Sequence, residues 1–497
     1  MSHNTTRLRT IRRQRSTSAQ YTRKSRGNRA PPSPRRIREL SIPTVSGKIV
    51  SQKNGWTILH IHGNAYSRGF AHGALLSGPL HRLVESLPFW VKQDYRTTLA
   101  EYVARCRRRI GRLFSEKYRE YSEELVGISE GAKSRGVDIS VDILLAWNAY
   151  LSMPEEYRRS NKPRVPRRPS RCSAFIATGN ATERGDIVMA HNTHCSFLNA
   201  VFANIILYIT PEKGHAFTMQ TCPGLLCSSM DWFITANGMV GCETTIARIN
   251  YRPQFGSPYF ARIRDCMQYG NSLEEYADIM QRDNAGDYAC SWLFGDIRTG
   301  EIMLCEIGLH AHHIVKTKNG VYYGMNSAID PVLRWTETDD RTFYDQETSS
   351  GARNARLEYL LRVKYAGKLN TENAKRILAD HYDVYLGKER KGIRGICKHG
   401  ELEPEPGAGH TRRRPYFPHG TIDGKVVNTA MAKQMRFWGK YGASCNRSFS
   451  VRSFLASHPE YSEWREYLVD LPNRPWTNIG PPLQKIDSIL VYPRKGI

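Results

Sequence analysis

Cys172 is the residue whose setting in the sequence best fits covalent chemistry. It precedes a short apolar run at 175–177 that is typical of a buried strand, and the Asn- and Gly-containing segment 180–185 predicts a turn. A second apolar run, 187–190, leads into the polar sequence His-Asn-Thr-His at 191–194. A thiol that attacks an acyl carbon needs a base and hydrogen-bonding neighbours. The predicted hairpin supplies both, because its return strand brings polar side chains beside Cys172.

The elements that must position this hairpin fall into separate blocks. Apolar residues recur at helical spacing over 80–150 and again over 352–383, whereas short strand patterns dominate much of the sequence after Cys172. Residues 311–316 and 321–324 are predicted to form one further pair of strands. Segregated blocks of helices and strands indicate an α+β fold, in which stacked sheets are flanked by helices.

Basic residues are concentrated at the N-terminus. The chain has 72 Lys and Arg against 47 Asp and Glu, a formal charge of +25, and residues 1–38 hold twelve of the basic residues and no acidic one. This composition is typical of a solvated, disordered arm. The alternative is a weak contact between residues 1–38 and nucleic acid or an anionic surface.

The sequence shows no ordinary secretory signal and predicts no membrane-spanning segment. Residues 1–38 lack the apolar core of a secretory signal, and no run of about 18 apolar residues predicts a transmembrane helix. The 11 cysteines include no C-x-x-C pair. An odd number of thiols without a secretory signal slightly favours a cytoplasmic or organellar compartment.

The order of several motifs resembles the N-terminal-nucleophile (Ntn) hydrolases. More narrowly, it resembles the phospholipase B-like family and the related acyl-coenzyme A:6-aminopenicillanic acid acyltransferase family. The resemblance implies the four-layer αββα sandwich of Ntn hydrolases, preceded here by an N-terminal helical segment. The motifs that carry it are GNAYSRGFAHG at 63–73, Cys-Ser-Ala at 172–174, His-Asn-Thr at 191–193, Pro-Gly-Leu-Leu at 223–226, Glu-Thr-Thr-Ile at 243–246, Gly-Met-Asn-Ser at 324–327 and Thr-Ile-Asp-Gly-Lys-Val-Val at 421–427.

The resemblance implies that the chain cuts itself between Arg171 and Cys172. The released α-amino group of Cys172 would then be the base that activates its own thiol. His191 and Thr193 would orient this pair. Residues 153–171 are rich in Pro and Arg and form the predicted linker that ends at the cleavage site.

The resemblance also assigns the groups around the reacting carbonyl. Thr244 or Thr245, together with the amide of Asn326, would stabilise the oxyanion, and Arg353 would support the thiolate. The residue types alone leave other interpretations open: β propensity for the threonines, a turn for Asn326 and a surface position for Arg353. His194 stands where the family usually has a Trp that walls the acyl pocket, which leaves the substrate open.

We therefore predict a basic tail (1–40), an N-terminal strand and helix segment (41–152), the linker (153–171) and an Ntn core with a C-terminal extension (172–497). The predicted activity is hydrolysis or transfer at an amide or ester acyl bond, with a lipid, an N-acyl amine or an acyl peptide as substrate. Two alternatives remain. One is a non-catalytic Ntn-fold protein that binds through its basic surface, and the other is a papain-like cysteine hydrolase without self-cleavage.

The sequence predicts neither a cofactor nor a metal. His310, His312 and His313 are close in sequence, but no carboxylate or Cys completes a recognisable zinc spacing. No Walker loop, dinucleotide-binding fingerprint or serine nucleophile elbow is present. Asp423 and Lys425 are expected to form a structural polar pair.

Deletion of residues 1–38 is expected to leave catalytic turnover unchanged, because every candidate site residue lies at or after Arg171. The measurement is kcat of the truncated and full-length chains on the same acyl substrate, with circular dichroism as the control for folding. A large loss of kcat in a folded truncated chain would contradict this prediction.

Overall fold

Two β-sheets stacked face to face form the centre of the fold. The computed structural model describes residues 45–153, 172–403 and 418–481, which all belong to one compact unit. The predicted basic tail, the linker from residue 154 to Arg171 and the segment 404–417 lie outside the described residues.

The strand that begins at Cys172 shows why the sheets are layered. Ala174 and Ile176 are buried in one apolar cluster, whereas Phe175 and Ala177 are buried in another. Successive residues of a strand point to opposite faces of the sheet. This strand is therefore covered on both faces, by the second sheet on one side and by helices on the other.

The larger sheet has nine strands in the order β1-β2-β5-β6-β7-β8-β9-β10-β11. Neighbouring strands are antiparallel except β2 and β5, which are parallel. The strands are Gly47–Lys53 (β1), Trp56–Gly63 (β2), Ile205–Pro211 (β5), Phe217–Thr221 (β6), Trp232–Thr235 (β7), Met239–Thr245 (β8), Cys290–Asp296 (β9), Glu301–Ile307 (β10) and His312–Thr317 (β11).

The smaller sheet is antiparallel throughout and has six strands in the order β12-β3-β4-β15-β16-β17. Its strands are Cys172–Gly179 (β3), Gly185–Ser196 (β4), Gly320–Gly324 (β12), His419–Asn428 (β15), Phe437–Tyr441 (β16) and Thr477–Ile479 (β17). A separate two-stranded hairpin consists of Tyr382–Asp383 (β13) and Lys388–Glu389 (β14).

Helices cover the outer faces of both sheets. Tyr259–Tyr269 and Leu273–Gln281 pack on the larger sheet, and Ser349–Tyr359 and Thr371–Leu378 pack on the smaller one. The predicted αββα sandwich is thus confirmed. The other α-helices are Ala65–Leu75, Ser77–Tyr95, Leu99–Cys106, Arg112–Lys117, Arg119–Lys133, Val141–Asn148, Phe197–Ala200, Pro331–Glu337, Thr429–Ala432 and Val451–Ser457. Among the described residues, none of the helices combines the length and apolarity needed to cross a bilayer.

Both predicted hairpins are confirmed, and one is longer than expected. Asn54 and Gly55 have φ of 50° and 85°, the left-handed pair that a two-residue hairpin turn requires. In the second hairpin β3 and β4 pair from Cys172 opposite Thr193 onward. The polar residues 191–194 therefore lie within β4 and not beyond its end. Because successive side chains of a strand point to opposite faces, their directions are set by the strand.

The predicted pairing of 311–316 with 321–324 is wrong. β11 pairs with β10 in the larger sheet, whereas β12 pairs with β3 in the smaller one. The chain crosses between the sheets in the short connection from Thr317 to Gly320. Because β12 runs antiparallel to β3, with Gly324 opposite Ala174, its end brings Asn326 to the start of β3.

A close contact between two helices explains the glycines of the segment 63–73. The helices Ala65–Leu75 and Arg119–Lys133 approach so closely that a Cβ on Gly73 would lie 2.0 Å from the carbonyl oxygen of Ile128. Each helix contributes two glycines spaced by four residues to this contact: Gly69 and Gly73, and Gly127 and Gly131.

Gly73→Ala is expected to destabilise the protein by roughly 1–3 kcal/mol, because the added methyl meets rigid backbone and the helices must separate. Gly78→Ala is the matched control, since a Cβ there has nothing within 4 Å and alanine is the better helix former by about 1 kcal/mol. Urea unfolding measures the free energy of unfolding for both variants. Equal stability of the two would show that the helix contact tolerates a side chain.

Candidate active site

Both backbone polar groups of Cys172 are held by side chains from distant segments. Its N–H donates to Oδ1 of Asn326 at 3.0 Å, and its carbonyl oxygen accepts from Nη1 of Arg353 at 2.5 Å. The residue is 1% exposed. The predicted nucleophile therefore has a fixed, buried position at the beginning of β3.

Arg353 joins the helix Ser349–Tyr359 to the ends of two strands. It is fully buried, and burial lowers its pKa to about 9, with the nearby thiol group of Cys172 acting in the opposite direction. Its guanidinium was predicted to lie beside the nucleophile and does so, although its hydrogen bond to that residue is made to the carbonyl oxygen. Its further acceptors are Ser173 Oγ at 3.0 Å, Met325 O at 2.8 Å, Asn326 Oδ1 at 2.9 Å and Ser349 O at 3.0 Å.

The side-chain amide of Asn326, just after the end of β12, both accepts and donates hydrogen bonds. Its Oδ1 receives both the Cys172 N–H and the Arg353 Nη2–H, and its Nδ2 donates to the Thr245 carbonyl at 3.1 Å. Its φ of 80° lies in the left-handed region, which Asn tolerates better than most residues. Its turn-forming character and its place in the site are therefore compatible.

The Cys172 thiol is in a setting that favours its protonated form. Burial raises its pKa well above the usual range, and the carboxylates of Asp231 and Glu243 raise it further. Sγ lies 3.8 Å from Oδ2 of Asp231. The backbone N–H of His194 and the ammonium of Lys425 act in the opposite direction.

Sequence reasoning missed Asp231 as a site residue. It follows β6 in a turn and has φ of 59° before β7 begins. Its neighbours Ser228 and Ser229 are typical turn residues, and nothing in the spacing of Asp231 connects it with Cys172. The stacking of the two sheets brings its carboxylate to the thiol.

His191 lies on β4 with its ring buried between the sheets. Its Nε2 is 2.8 Å from the carbonyl oxygen of Glu243, which can only accept, so Nε2 carries the hydrogen and Nδ1 is the basic nitrogen. Burial, and secondarily the charge of Lys425, lowers the pKa of His191 well below its usual value. A ring nitrogen of His191, Sγ of Cys172 and a carboxylate oxygen of Asp231 all lie within 4.8 Å of one another.

Thr193 belongs to a buried network around Lys425. The Lys425 ammonium donates to Thr193 Oγ1 at 2.8 Å and to Gln220 Oε1 at 2.7 Å. It also forms an ion pair with Asp423 Oδ1 at 2.9 Å. Asp423 and Lys425 are thus the polar pair that we expected, and through Thr193 and Met230 O they reach the strands beside Cys172.

The hydroxyl groups of the predicted oxyanion threonines differ in their contacts. Thr244 Oγ1 is buried, has no hydrogen-bond partner among the described residues and lies against Gly324, where a Cβ would be 2.2 Å away. Thr245 Oγ1 is hydrogen-bonded to the Tyr288 hydroxyl, while its carbonyl accepts from Asn326. Of the two hydroxyls, that of Thr244 is the one available for a further partner.

His194, which stands where the resemblance leads us to expect Trp, is also buried. Its Nε2–H donates to the carbonyl oxygen of Ile396 at 3.1 Å. Burial and the nearby charges of Arg353 and Lys398 lower its pKa well below the usual value. Lys398 is a second cation that sequence reasoning missed, and the mutual electrostatic effects on pKa place it near both Cys172 and Arg353.

The comparisons with known proteins agree with the motifs. The family model for Phospholipase B matches residues 137–302, and a putative phospholipase B-like 3 of Caenorhabditis elegans is 31% identical over 137 residues, 24% of this chain and 23% of that protein. An uncharacterized protein of Archaeoglobus fulgidus is 24% identical over 260 residues, 50% of this chain and 42% of that protein. The chain thus spans less than half the length of the curated relatives that it matches. The predicted similarity to the phospholipase B-like family is confirmed.

Two solved structures are similar in part. Both are single-residue variants of conjugated bile acid hydrolase from Clostridium perfringens, with TM-scores of 0.35 and 0.34. Each is 9% identical, and each alignment covers 54% of this chain and 89% of that chain.

Arg353→Lys is expected to lower the free energy of unfolding by about 2–4 kcal/mol, because an ammonium cannot reach all the acceptors that the guanidinium fork serves, and each buried acceptor left unpaired costs about 1–3 kcal/mol. Arg362→Lys is the control, because that side chain is half exposed and pairs with Glu358, four residues earlier in the chain. Denaturant unfolding of both variants is the measurement. A loss at Arg353 no larger than that at Arg362 would contradict the role described for Arg353.

Proposed function

We propose that this chain is an Ntn-type cysteine hydrolase or acyltransferase that acts on an amide or ester acyl bond and matures by cleavage between Arg171 and Cys172. The observation that carries the proposal is the double hold on Cys172, whose N–H is bound by Asn326 and whose carbonyl is bound by Arg353. A nitrogen held in this way stays beside its own Sγ after the preceding bond is cut.

The proposed maturation step is an attack by the Cys172 thiol on the preceding peptide bond. The Cys172 thiol adds to the Arg171 carbonyl carbon, the C–N bond breaks, and the leaving nitrogen takes the thiol proton. The products are a thioester and a free α-amine on Cys172. Water then hydrolyses the thioester, which releases Arg171 as a carboxylate and restores the thiol. No cofactor enters this sequence.

The freed α-amine is then the base for acyl transfer. An unperturbed α-amine has a pKa of about 7.7–8.0, which suits proton transfer near neutral pH. Because the environment raises the pKa of the Cys172 thiol, the free thiolate would not accumulate. The proton would instead move to the amine as sulfur attacks the substrate, and the Asp231 carboxylate would stabilise the resulting ammonium.

The oxyanion of the tetrahedral intermediate needs hydrogen-bond donors that are fixed before the reaction. The Asn326 amide is fixed by three hydrogen bonds, and the Thr244 hydroxyl is buried without a partner among the described residues. We assign these two groups to the oxyanion. Arg353 is a positioning residue that also places a positive charge near the developing negative charge.

The substrate class follows from the family resemblance together with the site. A cysteine nucleophile of this type forms a thioester with the acyl part and releases an amine or an alcohol. The similarity to the phospholipase B-like family favours a lipid ester, so that the activity would be removal of acyl chains from lipids. N-acyl amines and acyl peptides offer the same bond types and belong in the same assay panel.

A second mechanism is favoured by one observation, the proximity of Cys172, His191 and Asp231. In that arrangement Nδ1 of His191 would take the thiol proton directly, and the chain would work uncut, as a papain-like hydrolase does. The lowered pKa of His191 favours the neutral ring that a general base needs, but it also makes the ring a weak base.

Cys172→Ala is expected to give one full-length, inactive chain, whereas the parent gives two fragments, the larger of which begins with Cys-Ser-Ala-Phe. Intact mass and N-terminal sequencing measure both products. His191→Gln is the companion variant, and its cut form should keep most of the acyl turnover if the freed α-amine is the base. A parent that turns over acyl substrate while still joined at Arg171–Cys172 would falsify the Ntn mechanism and favour the His191 mechanism.

A further inference from the structure

A second cluster of thiols and imidazoles lies outside the proposed reaction. It consists of His381, Cys397, His399 and Cys445, here called the Cys2His2 cluster. One potential ligand atom from each residue lies within 4.8 Å of all the others. Three segments contribute: the residue before β13, the loop segment around 397–399, and the loop after β16. Four potential ligands from three separate segments therefore lie close together.

The distances within the Cys2His2 cluster fit a tetrahedral zinc site. Nε2 of His399 lies 3.6 Å from Sγ of Cys397 and 3.3 Å from Sγ of Cys445. Zinc binds sulfur at about 2.3 Å and nitrogen at about 2.0–2.1 Å in tetrahedral geometry, which requires a sulfur–nitrogen separation of roughly 3.6 Å. The donors therefore already stand at nearly the separation that a shared ion would impose.

The imidazoles are oriented as metal ligands. Nδ1 of His399 is 2.8 Å from Oε1 of Glu401, so the carboxylate fixes the Nδ1–H tautomer and turns the Nε2 lone pair toward the two thiols. This carboxylate–histidine arrangement recurs behind zinc ligands. Nε2 of His381 is buried and has no conventional hydrogen bond among the described residues, and the two rings lie with centroids 5.2 Å apart.

We propose that the Cys2His2 cluster binds one Zn²⁺ ion, with His381, Cys397, His399 and Cys445 as its four ligands. Two thiolates and two imidazoles are a ligand set that zinc occupies as a closed, structural site. Such an ion has no open position for substrate, so its role is to hold segments together. The proposal does not depend on the chemistry assigned to Cys172.

The segment that the ion would hold reaches the candidate active site. Lys398 lies between the two ligands Cys397 and His399 and is buried, and its backbone N–H donates to Thr421 Oγ1 at 2.8 Å. The preceding carbonyl, of Ile396, accepts from His194. A zinc ion at the cluster would therefore fix this side of the acyl site.

The test is the metal content of the full-length chain, purified without chelators and measured by mass spectrometry of the elements. About one zinc per chain is expected, and exchange for Co²⁺ should give the visible absorption of tetrahedral cobalt with thiolate ligands. Parent protein with no bound zinc, and with no such spectrum when Co²⁺ is added to the reduced chain, would overturn the proposal. A Cys397–Cys445 disulfide in the protein purified under reducing conditions would also overturn it.

Three variants locate the ion. Cys445→Ser and His381→Ala should each lose most of the zinc, and Cys172→Ser should retain it. The last variant is needed because Cys172, His191 and Asp231 also lie within 4.8 Å of one another. Zinc that disappears only with Cys172→Ser would place the metal at the nucleophile and refute the proposal. The cobalt spectrum of the parent does not depend on whether these variants fold.

Discussion

The buried guanidinium of Arg353 is the constraint on which the candidate active site depends. Its hydrogen bonds go to neutral acceptors, namely backbone carbonyls, serine hydroxyls and the Asn326 amide oxygen. A charge taken out of water without a contacting counter-ion is costly, and the lowered pKa of Arg353 reflects this cost. The fold retains the charge by surrounding it with oriented dipoles. Those dipoles belong to the helix Ser349–Tyr359, the start of β3 and the end of β12, so the same contacts that solvate the cation also fix the position of Cys172.

The Cys172 sulfur lies between acidic groups on one side and basic or N–H groups on the other. Asp231 and Glu243, from the larger sheet, disfavour a thiolate, whereas Lys425 and the backbone of β4 in the smaller sheet favour it. The groups that raise the pKa of this thiol thus come from one sheet, and the groups that lower it come from the other. A protonated thiol is the stable form in this environment, and reactivity requires a base that acts in the same step as the attack. In the mechanism that we propose, this base would be the α-amine of Cys172, which is bonded to the same Cα as the thiol-bearing side chain.

The layers of the fold could be predicted because they follow from local patterns. The apolar runs around Cys172 and the Asn54-Gly55 turn determine their hairpins through side-chain alternation and backbone conformation alone. The crossing from β11 to β12 could not be predicted in this way, since two strands with a short connection normally pair with each other. That crossing is also what brings Asn326 to Cys172, so the resemblance to known families predicted the position of Asn326 better than periodicity did.

The site residues that sequence reasoning missed also depend on contacts between distant segments. Asp231 has the sequence features of a turn, and nothing in the spacing of Lys398 connects it with Cys172. The Cys2His2 cluster shows the same limitation, because zinc motifs are recognised by short regular spacings and only Cys397 and His399 are near each other in sequence.

His194 connects strand β4, which lies beside Cys172, with the segment that contains Cys397 and His399. A Trp at this position would present an apolar surface, whereas His194 donates its Nε2–H to the carbonyl oxygen of Ile396. Asn192, two residues earlier on β4, donates to the same carbonyl at 3.1 Å. Two side chains of the strand that faces Cys172 are thus tied to the segment that contains Cys397 and His399. Any displacement of that segment would be transmitted to β4 through these hydrogen bonds, so the arrangement of the Cys2His2 cluster and the position of β4 beside Cys172 depend on each other.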